Sequence, residues 1–157
     1  MGELQIVVFS LNSEMCGVDT ANVQEIIKYK DVIKVARMPK FIEGAIDYRG
    51  IMVPIINLNS RFGFGDTEYT KKTKIIIAKV SEILLGFIVN DVPGIFKLSE
   101  EEFEPAPDII KQAGNVYLKN VAKLNGNLIS VVDTALILED KELKKLEILE
   151  NKLTNAK

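Results

Sequence analysis

Apolar residues gather in short runs along the chain: Ile6-Val7-Val8-Phe9, Val53-Pro54-Ile55-Ile56, Ile75-Ile76-Ile77-Ala78 and Leu84-Leu85-Gly86-Phe87-Ile88-Val89. Runs this short, rich in β-branched residues and bounded by polar turn residues, predict strands. Gln5 to Leu11 and Lys74 to Val80 read as strands, with turns at Asn12-Ser13-Glu14 and Ser81-Glu82. Met15 to Val18 and Leu84 to Val89 return from those turns. Asp19 is a good N-cap for one helical turn over Thr20-Ala21-Asn22. Val23 to Tyr29 and Ile95 to Leu98 follow as further strands. Asn90-Asp91-Val92-Pro93-Gly94 reads as a turn because it holds Pro and Gly. The run from Pro39 to Gly63 reads as two strands joined at Tyr48-Arg49-Gly50-Ile51. A second hairpin turns at Leu124-Asn125-Gly126-Asn127, where Asn-Gly is the strongest tight-turn signal.

The pattern occurs twice. An offset of 69 places Val7-Val8 on Ile76-Ile77, Gly17 on Gly86, Val23 on Val92 and Ile26-Ile27 on Ile95-Phe96. An offset of 76 places Gly50 on Gly126, Met52-Val53 on Leu128-Ile129 and Asn57 on Asp133. The second copy is therefore longer between its third strand and its hairpin. The extra length falls at Glu104-Pro105-Ala106-Pro107-Asp108, where two prolines forbid a regular helix or a central strand. About five short strands per copy predict two small five-stranded barrels, over roughly residues 5–68 and 69–138. Leu143, Leu146, Leu149 and Leu153 lie at helical spacing among Lys and Glu. They predict an amphipathic helix over roughly 139–153, packed along one stripe.

Composition narrows the function. A chain of 157 residues, 47% hydrophobic and 27% charged, can bury a core without metal or disulfide staples. Twenty basic against 22 acidic residues give a net charge of −2, a poor footing for neutralising nucleic-acid phosphates. No apolar run reaches the length of a membrane span, and the start Met1-Gly2-Glu3 lacks the basic residues of a signal peptide. The expected compartment is the cytoplasm. The single cysteine, Cys16, fits a reducing compartment and reads as a small buried side chain.

The chain has no histidine. Neither a zinc site nor a Ser-His-Asp or Cys-His arrangement is available, so no catalytic residue, metal site or cofactor is expected. No phosphate-binding loop or dinucleotide fingerprint occurs. Glu100-Glu101-Glu102 lacks the alternating ligands of a calcium loop, and Ser99 with Glu102 reads as a capping box. Paired carboxylates for hydrolysis are a residual option. A barrel that binds a small molecule or an oligonucleotide is the main alternative. It would need a basic or aromatic face, which 7% aromatic content and the absence of Trp disfavour.

Several motifs in one order resemble a known family. Val23-Gln24-Glu25-Ile26, Pro39-x-Phe41-Ile42-x-Gly44 and Arg49-Gly50-x-x-Val53-Pro54-Ile55-x-Asn57-Leu58 are similar to CheW, the bacterial chemotaxis coupling family. Gly86-Phe87-Ile88-Val89-Asn90-Asp91-Val92, then Pro105-Ala106-Pro107 and Asn127 to Asp133, continue the likeness over about residues 4–138. The resemblance implies a mainly β fold of two SH3-like barrels. It also implies a non-catalytic adaptor that joins the cytoplasmic tip of a methyl-accepting chemoreceptor to the regulatory domain of the histidine kinase CheA. The adaptor would lie at receptor arrays on the inner face of the membrane. By the same resemblance, Val23, Glu25, Gly44, Arg49, Val92 and Ile95 match receptor-binding positions along a groove between the barrels. Asp108 and Ile109 match kinase-binding positions. One departure is local: Met15-Cys16 stands where the family often has an aromatic before the glycine.

Each position also has a structural reading. Val23, Val92 and Ile95 suit a core as well as a groove. Glu25 and Arg49 suit an ion pair fixing the third strand to the hairpin, which if buried would cost about 3–5 kcal/mol to break. Gly44 suits a close backbone approach or an unusual φ.

Overall fold

The structure, a computed structural model, describes residues 3–34, 36, 38, 41–105 and 117–155, with 149–155 as backbone. In the first sequence copy lie β1 (Glu3–Leu11), β2 (Glu14–Asp19), β3 (Val23–Lys28), β4 (Ile42–Tyr48) and β5 (Ile51–Asn57). A short helix α1 (Leu58–Phe62) follows, capped by the Asn57 side chain and ended by Gly63 at φ 77°. The second copy supplies β6 (Lys74–Val80), β7 (Ile83–Val89), β8 (Asp91–Ser99), β9 (Phe103–Pro105), β10 (Leu118–Leu124) and β11 (Asn127–Val132). The chain closes on α2 (Asp140–Asn155). The fold is mainly β, as expected, and α2 lies within two residues of its predicted bounds.

The two copies exchange strands. One sheet runs β8-β1-β2-β11-β10-β9 and the other β3-β6-β7-β5-β4. Each sheet curls: Ile33, beyond β3, bridges to Ala45 on β4 at the opposite edge. In the other sheet only the Glu100–Glu102 turn separates the two edge strands β8 and β9. The units 5–68 and 69–138 are therefore units of repetition, and neither closes a barrel by itself. The cause is local. Tight turns keep β1 with β2 and β6 with β7, whereas the turn at Thr20–Asn22 sends the next strand, β3, to pair with β6. Asn90 does the same for β8, which pairs with β1.

The registers of the two barrels match. Ile55 pairs with Gly86 where β5 meets β7, and Val131 pairs with Gly17 where β11 meets β2. These pairs are related by the same offsets that relate the sequences. Arg49 and Gly50 (φ 52° and 84°) and Asn125 and Gly126 (φ 50° and 82°) form equivalent two-residue hairpin turns. Positive φ at both positions is the primed turn that matches strand twist.

The unbroken apolar runs have a simple cause: both faces of the central strands are buried. Ile6 and Val8 fill the interior of one barrel, while Val7 and Phe9 face the layer between barrels. Ile75 and Ile77 fill the other barrel, while Ile76 and Ala78 face the same layer. Each of these Ile, Val and Phe side chains contributes about 1.5–3 kcal/mol by leaving water. Leu146 of α2 joins the shared layer fully buried, with Leu143 partly so, and α2 lies against β5. The described part of the stripe, Leu143 and Leu146, packs on its own molecule.

One expected turn is a strand. β8 runs straight through Val92-Pro93-Gly94. The β1–β8 register breaks between Val8 and Ser10, opposite this stretch. Proline is accommodated because β8 is an edge strand and the bulge leaves no ladder hydrogen bond to lose. The expected capping box at Ser99 and Glu102 and the Asp19 cap are both formed.

Candidate functional site

Glu25 stands on β3 just beyond a bulge: Val23 pairs with Ala78, and Glu25 with Ile77. A bulge re-aims the side chains that follow it. Across from it the β4–β5 hairpin ends in Tyr48-Arg49-Gly50-Ile51. Asp47 Oδ1 accepts from the Gly50 amide at 2.9 Å, holding that turn. One carboxylate oxygen then gathers the corner. Glu25 Oε1 accepts from the Tyr48 hydroxyl at 2.6 Å and from Arg49 Nη2 at 2.9 Å. The Arg49 guanidinium lies 5.2 Å from the centre of the neighbouring Tyr48 ring.

The expected Glu25–Arg49 pair exists, but it is not buried. Its side chains are 70% and 38% exposed for Arg49 and Glu25. The buried-pair cost therefore does not apply, and water screening leaves about 0–1 kcal/mol. The guanidinium is thus held in place with most of its surface open to solvent. The Tyr48 phenol is held above the usual tyrosine range, first by its bond to Glu25 and then by burial. It stays a neutral donor throughout the physiological range.

Gly44 answers to both structural readings. Its φ is 156°, and a Cβ there would collide with the Ile33 carbonyl. That carbonyl accepts from the Ala45 amide at 2.9 Å in the bridge that curls the sheet. Gly44 is itself buried, so a larger residue there acts by displacing backbone. Val23 and Val92 occupy equivalent places at the heads of β3 and β8, and both pack partly buried on the layer between barrels. Ile95 belongs to β8 and is 51% exposed, a surface residue and not core. Asp108 and Ile109 lie outside the described residues.

Tyr48 and Asp47 were not singled out from the sequence. The signal was present in Asp47-Tyr48-Arg49-Gly50, an aspartate three residues before a turn glycine. The tyrosine's share in the site depends on which strand end faces the hairpin, which only the strand exchange settles.

The corner is built of structural hydrogen bonds. The carboxylate oxygen is engaged by two donors. Among the described residues no group of three His, Cys, Asp or Glu side chains is placed to hold a metal ion. Burial, with Glu14 nearby, pushes the Cys16 thiol up to about 12, which keeps it protonated and unreactive. No helix among the described residues is long and apolar enough to cross a membrane.

Comparison with known proteins agrees with this picture. A family model described as "CheW-like domain" matches residues 5–142. A chemotaxis protein CheW of Klebsiella aerogenes is 30% identical over 139 residues, covering 88% of this chain and 84% of that protein. The chemotaxis protein CheW of Thermotoga maritima is 27% identical over 143 residues, covering 91% and 93%. The crystal structure of scaffolding protein TtCheW from Thermoanaerobacter tengcongensis superposes with a TM-score of 0.80 at 32% identity. It covers 90% of this chain and 91% of that one.

Proposed function

The chain belongs to the CheW family, and on that footing we propose that it couples chemoreceptor tips to the histidine kinase CheA in the cytoplasm. Its role is that of a chemotaxis adaptor, and like its family it is not an enzyme. The observation that carries the receptor reading is the corner at Glu25, Tyr48 and Arg49. An exposed guanidinium is set there by a carboxylate that the fold, through a bulge and a primed turn, holds in place. Val23 and Val92 at the layer between barrels, with exposed Ile95, supply apolar surface. A receptor hairpin tip is helical, and helices bind such surfaces by laying apolar anchors along them. The kinase regulatory domain, itself a paired barrel by the family resemblance, would meet a different face, with Asp108 and Ile109 as its contacts. The alternative of a ligand-binding barrel loses support because isoleucine, valine and leucine side chains fill both barrel interiors.

The test is binding of the purified chain to a chemoreceptor cytoplasmic fragment and to the CheA regulatory domain. Arg49→Glu should lose the receptor fragment and keep the kinase domain. Binding of neither partner by the native chain would remove the adaptor reading with the fold left standing.

A further inference from the structure

The duplication gives the molecule two equivalent outer faces, and among the described residues only one is covered. On the barrel of β3 to β7, α2 lies against β5, whose outward residues Met52, Pro54 and Ile56 are all buried. The equivalent strand of the other barrel is β11, with Leu128, Ser130 and Val132 in the same places. Strand pairing confirms the equivalence: Ala45 faces Pro54 as Val121 faces Ser130, and Ile42 faces Ile56 as Leu118 faces Val132. Met52 is 9% exposed; Leu128 is 65% exposed. Among the described residues the helix lies against the strand that carries Met52 and not against the strand that carries Leu128.

The uncovered face is a groove and not a flat sheet. A cleft of about 420 Å³ runs over Val121, Leu128, Ser130 and Val132, walled by Phe64 and by Tyr117, which stacks on Phe62 at 3.9 Å. Its rim carries both signs of charge. Glu14 lines one side, and beyond the lining Lys123, paired with Glu104 at 3.1 Å, lies on the same face of β10 as Val121. α2 likewise flanks its apolar stripe with both Lys and Glu.

We propose that this groove docks an amphipathic helix of a partner protein, apolar at the i, i+3 spacing of Leu143 and Leu146, with flanks of mixed charge. A helix is the occupant because the equivalent groove of the same molecule already holds one. A partner supplies it because the α2 of a second copy is not free. Its Leu146 is fully buried on its own barrel, and its Glu142 is bound to Arg61 at 2.7 Å. The face is made of different strands from the Glu25–Arg49 corner, so it can be filled together with that site.

The probe is a synthetic peptide of residues 140–155, stapled between positions 144 and 148, opposite its leucine stripe. It is titrated into the isotope-labelled full chain and followed by amide chemical shifts. The expected result is movement at Val121, Leu128 and Ser130, with binding weakened at least tenfold by Leu128→Lys. Leu128 is exposed, so that variant should fold normally, and an unchanged thermal midpoint verifies it. A peptide with Leu143 and Leu146 replaced by Ser should not bind. Absence of shifts at millimolar peptide, shifts confined to the Met52–Ile56 face, or affinity unchanged in Leu128→Lys would each overturn the proposal. So would a dimer of the free chain that disappears in Leu128→Lys, which would assign the face to a second copy.

Discussion

Arg61 and Glu142 lie 81 positions apart in sequence and form a two-pronged ion pair, Nη2 to Oε1 at 2.7 Å and Nη1 to Oε2 at 3.1 Å. Arg61 Nε also donates to the Ile137 carbonyl, and Glu142 Oε1 accepts from the Glu139 amide at the start of α2. The pair thus ties the end of α1 to the first turn of the last helix. With side chains only 22% and 16% exposed it is screened far less than a surface bridge. Hydrogen bonds to charged groups at such sites contribute about 1.5–3 kcal/mol. Arg61→Ala should lower stability by about 2 kcal/mol in urea denaturation. Adding Glu142→Ala should cost less than Glu142→Ala costs alone, because the shared ion pair is already gone and only the bond to the Glu139 amide remains to lose. Fully additive losses would mean that the two side chains act separately.

The Glu25–Arg49 pair should behave oppositely. Its exposure keeps its stability contribution within about 1 kcal/mol. Arg49→Ala should therefore leave the urea midpoint nearly unchanged while reducing receptor-fragment binding at least tenfold. A large stability loss with binding intact would make Arg49 a structural residue.

Much of this was legible in the sequence because local signals agreed. Asn125-Gly126 and Arg49-Gly50 marked primed turns, Asp19 a cap, Ser99 with Glu102 a capping box, and the leucine spacing a helix. Three things were not legible. Strand exchange depends on where a three-residue turn aims the chain, and Thr20-Ala21-Asn22 reads alike whether β3 stays or crosses. Pro93-Gly94 reads as a break, and only the edge position of β8 makes it tolerable. The exposure of the Glu25–Arg49 pair, and the share of Tyr48 in it, depend on packing between segments distant in sequence.

Alkaline pH should destabilise the fold through its tyrosines. Tyr29, Tyr69 and Tyr117 are raised above the ordinary value of 10.0 first by burial, and Tyr48 first by its bond to Glu25. As pH climbs through about 10, the unfolded chain loses phenolic protons that the folded chain still keeps. The stabilisation from these groups is whole below that pH and is lost as pH rises through the folded-state values. Urea midpoints should be flat from about pH 7 to 9 and fall above about 10. Tyr48→Phe should lessen the fall, since its share of the linkage is gone. An alkaline slope identical in Tyr48→Phe would contradict the Glu25 hydrogen bond.

Gly44 separates backbone geometry from partner contact. An alanine Cβ would meet the Ile33 carbonyl, at a φ that side chains rarely adopt. Strain of this kind costs about 1–3 kcal/mol per residue. Gly44→Ala should show that loss in thermal unfolding, and faster hydrogen exchange at the Ile33 and Ala45 amides. Any receptor defect should then scale with the distortion. A binding defect with native stability and native exchange at Ala45 would place Gly44 in direct contact with the receptor.

Strand exchange makes its own prediction about the chain cut in two. Lys71 and Lys72 are exposed in the turn before β6, so a break between them removes no core contact. The fragment 1–71 then holds β1 to β5 and α1, and 72–157 holds the rest. The pairings β1 with β8, β2 with β11, β3 with β6 and β5 with β7 all cross the cut. Neither fragment can close a barrel alone, because each would leave Ile, Val and Phe side chains of its central strands in water. Each fragment should lack a cooperative unfolding transition by circular dichroism. An equimolar mixture should recover the native spectrum and run as a one-to-one complex on gel filtration. If 1–71 folded cooperatively by itself, the first copy would close its own barrel and the exchanged topology would be wrong.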